Sequence, residues 1–528
     1  MIVNESLKHS NEKTPTQALK SGEVTPTHSG NIKNVAPHIV DINMDKDSIQ
    51  LVQPGEFEPE LHYYPRVLNA TIHPLISSFF NLGNERIIAR YVHLNPQVNE
   101  GKLREVLNYS PKHFKWAGSD LFNVTTASGR KQMVIIETNS CPSGQKSMPL
   151  LLDNEDSGGY ASVLESAFQE LINSTDDKIE GELAVIYDKN LMEASGYAST
   201  MADITGENVW LVPYFKDSKN VHIKWVPDNV LHICDDSGIW HRIRACFRYV
   251  TQKPWNRIPM NSKTKILNPI VSCLAGGRNK MMASKSYEFY NADMIGTGLS
   301  IKTPETINNI IKSEIPLWVE SMGNHAVLKV PYSNAGQGVY TITNKTELDD
   351  FMKTEHHYDK FIVQSLVGNA SWSSTTRTGT YYHVGTIPNR KNHTYVSDIR
   401  MMVTGSSKGF SPICLYARKA RKPLVQNLDD SKGPIPTSWE MLGTNLSVKN
   451  PDGSWSTESS RLVLMDRKDF NSLGLGIDDL IDCYIQTVLS TIAIDMMCIK
   501  LINDDGSFNF DLFSALNPDK VLLEEIKK

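Results

Sequence analysis

One segment limits what this chain can become more than any other: Ala326-Val-Leu-Lys-Val-Pro-Tyr-Ser-Asn-Ala-Gly-Gln-Gly-Val-Tyr340. It reads as a strand carrying Lys329, a small-residue loop with Gly336 and Gly338, and a second strand. Glycines leave no Cβ in the way, so the backbone N–H groups of such a loop can approach a phosphate closely. Lys329 stands where its ammonium can reach the same phosphate. The loop is not a Walker A motif, which needs GxxxxGK[ST] and a following helix. Taken alone, the segment also fits an ordinary tight hairpin with a surface lysine.

Three other segments point the same way, each with a plainer alternative. Phe361-Ile-Val-Gln364-Ser-Leu366 is an apolar strand interrupted by one amide, suited to pairing its backbone with an adenine edge, or simply a core strand. Leu274-Ala-Gly-Gly-Arg278-Asn-Lys280 opens a helix and puts Arg278 and Lys280 on its first turn, facing phosphate or facing solvent. In Val396-Ser-Asp398-Ile-Arg400, the alternation puts Asp398 and Arg400 on one strand face. Arg400 is then a candidate for stabilising transferred phosphate charge, or half of a surface pair.

A metal constellation comes earlier in the chain. Gly118-Ser-Asp120 precedes a turn at Ser128-Gly129, and Val134-Ile-Ile-Glu137-Thr-Asn139 follows, leading into Ser-Cys-Pro-Ser-Gly144. Glu137 and Asn139 are two apart on a strand and share a face, and the hairpin sets Asp120 beside Glu137. Converging oxygen donors of this kind suit Mg²⁺. An exposed polar strand end is the alternative.

Together these residues resemble the ATP-grasp enzymes. An Asp, a hairpin and Glu-x-Asn match the family's magnesium signature, and a strand lysine before a glycine loop matches its nucleotide signature. The Glu-x-Asn here precedes the lysine, an order similar to that of the circularly permuted, eukaryotic-type glutathione synthetases. Phe247-Arg248 matches a Phe-Arg near their peptide substrate, and Leu274-Ala275-Gly276 a Leu-Ala-Gly before basic residues. The likeness spans residues 118–340 and departs at Gly118, where the family has an arginine, and at Ser333 and Asn334, where it has a metal-binding glutamate.

The resemblance implies an α/β chain of α+β layers, an ATP-grasp fold, circularly permuted, with an α/β substrate-binding subdomain. ATP would lie against Gln364 and Leu366, its phosphates on Lys280, Lys329, Ser333, Asn334, Gly336 and Gly338. Mg²⁺ would lie on Asp120, Glu137 and Asn139. Arg400 would serve the transferred phosphoryl group, and Arg248 would anchor a substrate carboxylate. The implied reaction joins a small carboxylate to an amine, an amino acid or short peptide, through an acyl phosphate. A kinase on the same fold and a non-catalytic nucleotide-binding protein are the competing readings. Asp495, a turn at Asp505-Gly506, Asp511 and Asn517 echo the metal hairpin near the C-terminus and compete with it for the cation.

The remaining features set bounds. Residues 1–54 are polar and poor in aromatics and read as a flexible tail. Beyond them the expected divisions are 55–180 with the metal hairpin, 181–270 as the substrate-binding subdomain, and 271–528 for nucleotide and lid. Expected helices include 66–80, broken at Pro74, 303–313 and 476–497; Cys498–Ile502 and Ser507–Phe513 read as a final strand pair. A net charge of −5 argues against a nucleic-acid partner. Seven cysteines without a CxxC pair argue for a reducing compartment and against a zinc site. The N-terminus lacks an apolar signal region and no long apolar run occurs, so a cytoplasmic protein with no membrane partner is expected. A homodimer is compatible with the sequence.

Overall fold

Apolar runs dictate the sheets, and among its described residues the computed structural model has three sheets of four strands or more and a fourth of two strands. It describes residues 48–528 apart from 153–154, 175–178, 216–221, 227–228, 251–254, 334–335, 378, 429–436, 450–454 and 528. Most of the expected tail lies outside the described residues, but Gln50–Val52 pairs antiparallel with Val209–Pro213 at a sheet edge.

In the first sheet, Glu182–Tyr187 lies between Val209–Pro213 and Trp240–Tyr249, parallel to both. Both faces of these strands are covered, so they read as continuous apolar runs. These three strands fall within residues 181–270, and Gln50–Val52 joins their sheet from outside that range.

The second sheet is antiparallel, in the order Tyr381–His383, Trp116–Thr126, Ser397–Ser406, Gly409–Lys419, Leu462–Val463. Lys131–Asn139 hairpins onto Trp116–Thr126. The helix Ile477–Lys500 packs against this sheet. It is long and apolar enough to cross a membrane, yet it is buried in the core of this fold, which explains its apolar character on nearly all sides.

The third sheet runs Thr306–Ile310, Phe361–Ser365, Ala326–Lys329, Val339–Ile342. It has a small core of its own, with Ile315, Leu328, Phe361 and Val363 at its centre.

Two sequence expectations fail here. The helix over 303–313 is instead the strand Thr306–Ile310, where β-branched residues pair with Phe361–Ser365 and Asn309 takes φ 61°, outside helical geometry. The break expected at Pro74 within 66–80 does occur, and each of the two helices opens on its own proline: Pro65–Leu68 and Pro74–Phe80. The final strand pair does not form: the long helix continues through Lys500, and Phe510–Leu516 is a helix capped by Asn509.

Candidate functional site

The second and third sheets bound a cleft with two adjoining lobes. Glu137, Arg278, Lys329 and Gln364 line both. Strand pairing sets Asp120 opposite Glu137 and Gly118 opposite Asn139, with a bulge after Asp120. Gly118 has no room for a side chain, since a Cβ there would lie 2.5 Å from that of Pro142.

One lobe is cationic. Lys280 lies on the first turn of the helix Lys280–Asp293, its Nζ 3.4 Å from Glu137 and donating to the Ser333 carbonyl at 2.7 Å. Lys329 extends from its strand to the Ile136 carbonyl, 3.3 Å away. Burial pulls its ammonium down to about 8, against the attraction of Glu137. Arg278 is 8% exposed. One of its N–H groups reaches Asn139 Oδ1 at 3.4 Å, while its Nε and Nη2 are buried with no partner among the described residues. Unpaired buried guanidinium donors are costly, so this arrangement calls for an anion. Gly336 and Gly338 take φ +75° and +69°, which only glycine adopts readily.

The other lobe holds a clamp of two arginines and two aspartates. Arg400 donates to Asp120 through Nε at 2.6 Å and Nη2 at 2.7 Å. Arg418 bridges Asp120, at 2.9 Å, and Asp398, to which its Nε donates at 2.9 Å. Thr444 donates to Asp398 at 2.9 Å. Burial would raise the Asp120 carboxyl, but Arg400 and Arg418 overcome it and hold it at about 2. Below the clamp, Arg400 and Tyr416 both donate to the Ser143 carbonyl, at 3.1 and 2.9 Å. The buried carboxylate of Glu193 fixes that loop by accepting from the Gln145 N–H at 2.7 Å and the Tyr249 hydroxyl at 2.7 Å.

Glu137 and Asn139 fit Mg²⁺, which binds through one or two protein oxygens together with phosphate oxygens, because their contacts to Lys280 and Arg278 are long, 3.4 Å each. Asp120 does not fit: both of its oxygens accept from guanidinium groups. Among the described residues no group of three His, Cys, Asp or Glu side chains is placed to hold a metal.

Several sequence-picked residues fall elsewhere. Arg248 is not in the cleft. It is 1% exposed on an interior strand and donates to the carbonyls of Asn268 and Val250, at 2.7 and 2.8 Å, and to Ser140 Oγ. It is a structural crosslink, not a substrate anchor. Phe361–Ser365 is paired on both edges, and both backbone groups of Leu366 engage Ser374, so the adenine-edge pairing expected there has no free rung. The Gln364 side chain does line the cleft and donates to Thr306 at 2.8 Å. Ser333 serves through its carbonyl, and its hydroxyl donates to the Val330 carbonyl. Gly336 lines the clamp lobe, whereas Gly338 lines a neighbouring groove. Asn334 lies outside the described residues. Asp495 accepts four hydrogen bonds, from Tyr109, Lys112, His113 and Phe114, and so has nothing to offer a cation. Sequence reasoning missed Arg418. Its two-residue spacing from Tyr416 shows that they share a face, but not that the face meets Asp120.

No known protein-family profile and no curated protein matches this chain. Solved structures do. A glutathione synthetase like-effector from Globodera pallida, in apo form, is 11% identical over 66% of this chain and 86% of its own, with a TM-score of 0.35. A RimK domain ATP-grasp protein from Sphaerobacter thermophilus is 13% identical over 44% and 90%, with a TM-score of 0.26. N5-carboxyaminoimidazole synthetase from Staphylococcus aureus, complexed with ADP, is 8% identical over 45% and 70%, with a TM-score of 0.23.

Proposed function

We propose that this chain is an ATP-dependent carboxylate–amine ligase acting on a small molecule or short peptide. The observation that carries this reading is Arg278, whose two buried donors have no partner among the described residues and lie beside Lys280 and Lys329 in a cleft between two sheets. That corner suits a polyphosphate. The pairing of the early Asp120–Glu137 hairpin with the later Arg400 strand supports a permuted ATP-grasp order.

In this reading the nucleotide's phosphates lie on Arg278, Lys280 and Lys329, and the acid substrate lies toward Arg400 and Arg418. The acid's carboxylate attacks the γ-phosphorus, the bond from the γ-phosphorus to the β–γ bridging oxygen breaks, and ADP leaves with that oxygen, giving an acyl phosphate. The guanidinium groups hold the charge of the transferred group, and catalysis comes chiefly from positioning and charge neutralisation. An amine then displaces phosphate from the acyl phosphate. Mg²⁺ held by Glu137 and Asn139 would supply further neutralisation of phosphate oxygens.

The capture of Asp120 by two arginines favours one alternative, a nucleotide-binding protein without turnover. A screen of amino acids and short peptides, alone and in pairs, separates the two. The ligase releases ADP and phosphate only when both co-substrates are present; ATP binding with no release from any pair would leave the non-catalytic reading.

A further inference from the structure

The two lobes have different charge balances. Among the described residues, Arg278, Lys280 and Lys329 face a single carboxylate, Glu137, leaving two positive charges in excess. Glu288 also lines this lobe, but it is exposed and ion-paired with Lys285 at 2.8 Å. The clamp holds Arg400, Arg418, Asp120 and Asp398 and is neutral.

A nucleoside triphosphate carries roughly four negative charges at neutral pH. The excess of the phosphate lobe offsets half of that, and one divalent cation offsets the rest. Among the described residues, only one carboxylate in that lobe is available to such a cation. Asp120 could become a second metal ligand only by giving up three charge-assisted hydrogen bonds inside a buried clamp. Abandoning buried ion pairs of this kind is strongly unfavourable, because the arginines would be left uncompensated. Ser333, in the loop above, offers no carboxylate, and its hydroxyl already donates to the Val330 carbonyl.

We infer that the nucleotide complex of this protein takes one divalent cation, held by Glu137 and Asn139, and that Asp120 is a positioning residue for Arg400 and Arg418, not a metal ligand. The inference rests on the proposed nucleotide site. It also fixes the direction of two substitutions. Removing the charge of Glu137 makes the phosphate lobe more positive, so binding of a metal-free triphosphate strengthens while the benefit of the metal is lost. Changing Asp120 leaves the metal benefit in place.

Equilibrium dialysis of the full chain with a non-hydrolysable ATP analogue and excess Mn²⁺ tests the count, and calorimetry of the same analogue with Mn²⁺ and with EDTA tests the ligands. The expected count is one Mn²⁺ per bound nucleotide. Glu137→Gln should bind the metal-free analogue roughly tenfold more tightly than the unaltered chain, and Mn²⁺ should no longer improve its binding. Asp120→Asn should keep the wild-type ratio of affinities with and without metal. Two Mn²⁺ per nucleotide, or loss of the metal benefit in Asp120→Asn with the fold intact by circular dichroism, would overturn the inference while leaving the nucleotide site standing. If the unaltered chain binds no analogue under either condition, both the inference and the nucleotide site fail.

Discussion

Lys329→Met should move ligand affinity and fold stability in opposite directions. Lys329 is 4% exposed, and its ammonium is drawn from 10.5 down to about 8. That depression corresponds to roughly 3 kcal/mol of unfavourable charge burial in the unliganded protein. Methionine keeps the stem packing and removes the charge. It also removes the hydrogen bond to the Ile136 carbonyl, worth about 1 kcal/mol. The net expectation is a gain of about 1–2 kcal/mol for the empty protein, or about one degree in Tm per kcal/mol for a chain this long. The sign follows from the depressed ammonium. The burial cost is fully present below about pH 8 and fades as pH rises toward 10.5, so the gain of the variant should shrink over that window. ATP affinity should fall by roughly tenfold to a hundredfold, the worth of a charge-assisted contact. Differential scanning fluorimetry at pH 7 and pH 9.5, with calorimetry of ATP binding at pH 7, reads both effects. A variant that is less stable at pH 7 than the parent, or that binds ATP unchanged, would refute the reasoning.

Arg248→Ala should destabilise the fold by about 3 kcal/mol or more, because it strands three buried acceptors, and denaturation rather than substrate KM is where that loss should show. Arg418→Lys should lower turnover by about tenfold or more with little change in ATP affinity, since lysine cannot bridge Asp120 and Asp398 as a planar guanidinium does; steady-state kinetics against calorimetry separates the two. Raising the pH through 8 should weaken ATP binding progressively as Lys329 loses its proton, measurable by calorimetry across pH 7–9.5.

How much of this was legible in the sequence depended on whether an inference stayed within one hairpin. The Asp120–Glu137 register and the pairing of the two strands that flank the glycine loop needed only local spacing and turn chemistry, and both pairings form as read. Arg248 needed more. Alternation shows which residues share its face, but an edge strand and an interior strand have the same period, and only the neighbours Glu182–Tyr187 and Lys265–Leu267 make it interior. The same gap hid the pairing of both edges of Phe361–Ser365 and the meeting of Arg418 with Asp120. Thr306–Ile310 read as helix because its apolar spacing allowed it. Pairing with Phe361–Ser365 and the left-handed Asn309 decide otherwise.

The most direct test of the proposed chemistry follows an oxygen atom. Once a pair of co-substrates that releases phosphate has been found, the acid is supplied with ¹⁸O in its carboxylate and the phosphate is examined by mass spectrometry. An acyl phosphate requires one carboxylate oxygen to leave with the phosphoryl group, so labelled phosphate should appear in step with amide formation. Unlabelled phosphate, or label recovered in AMP in place of phosphate, would contradict transfer of the γ-phosphoryl group to the acid.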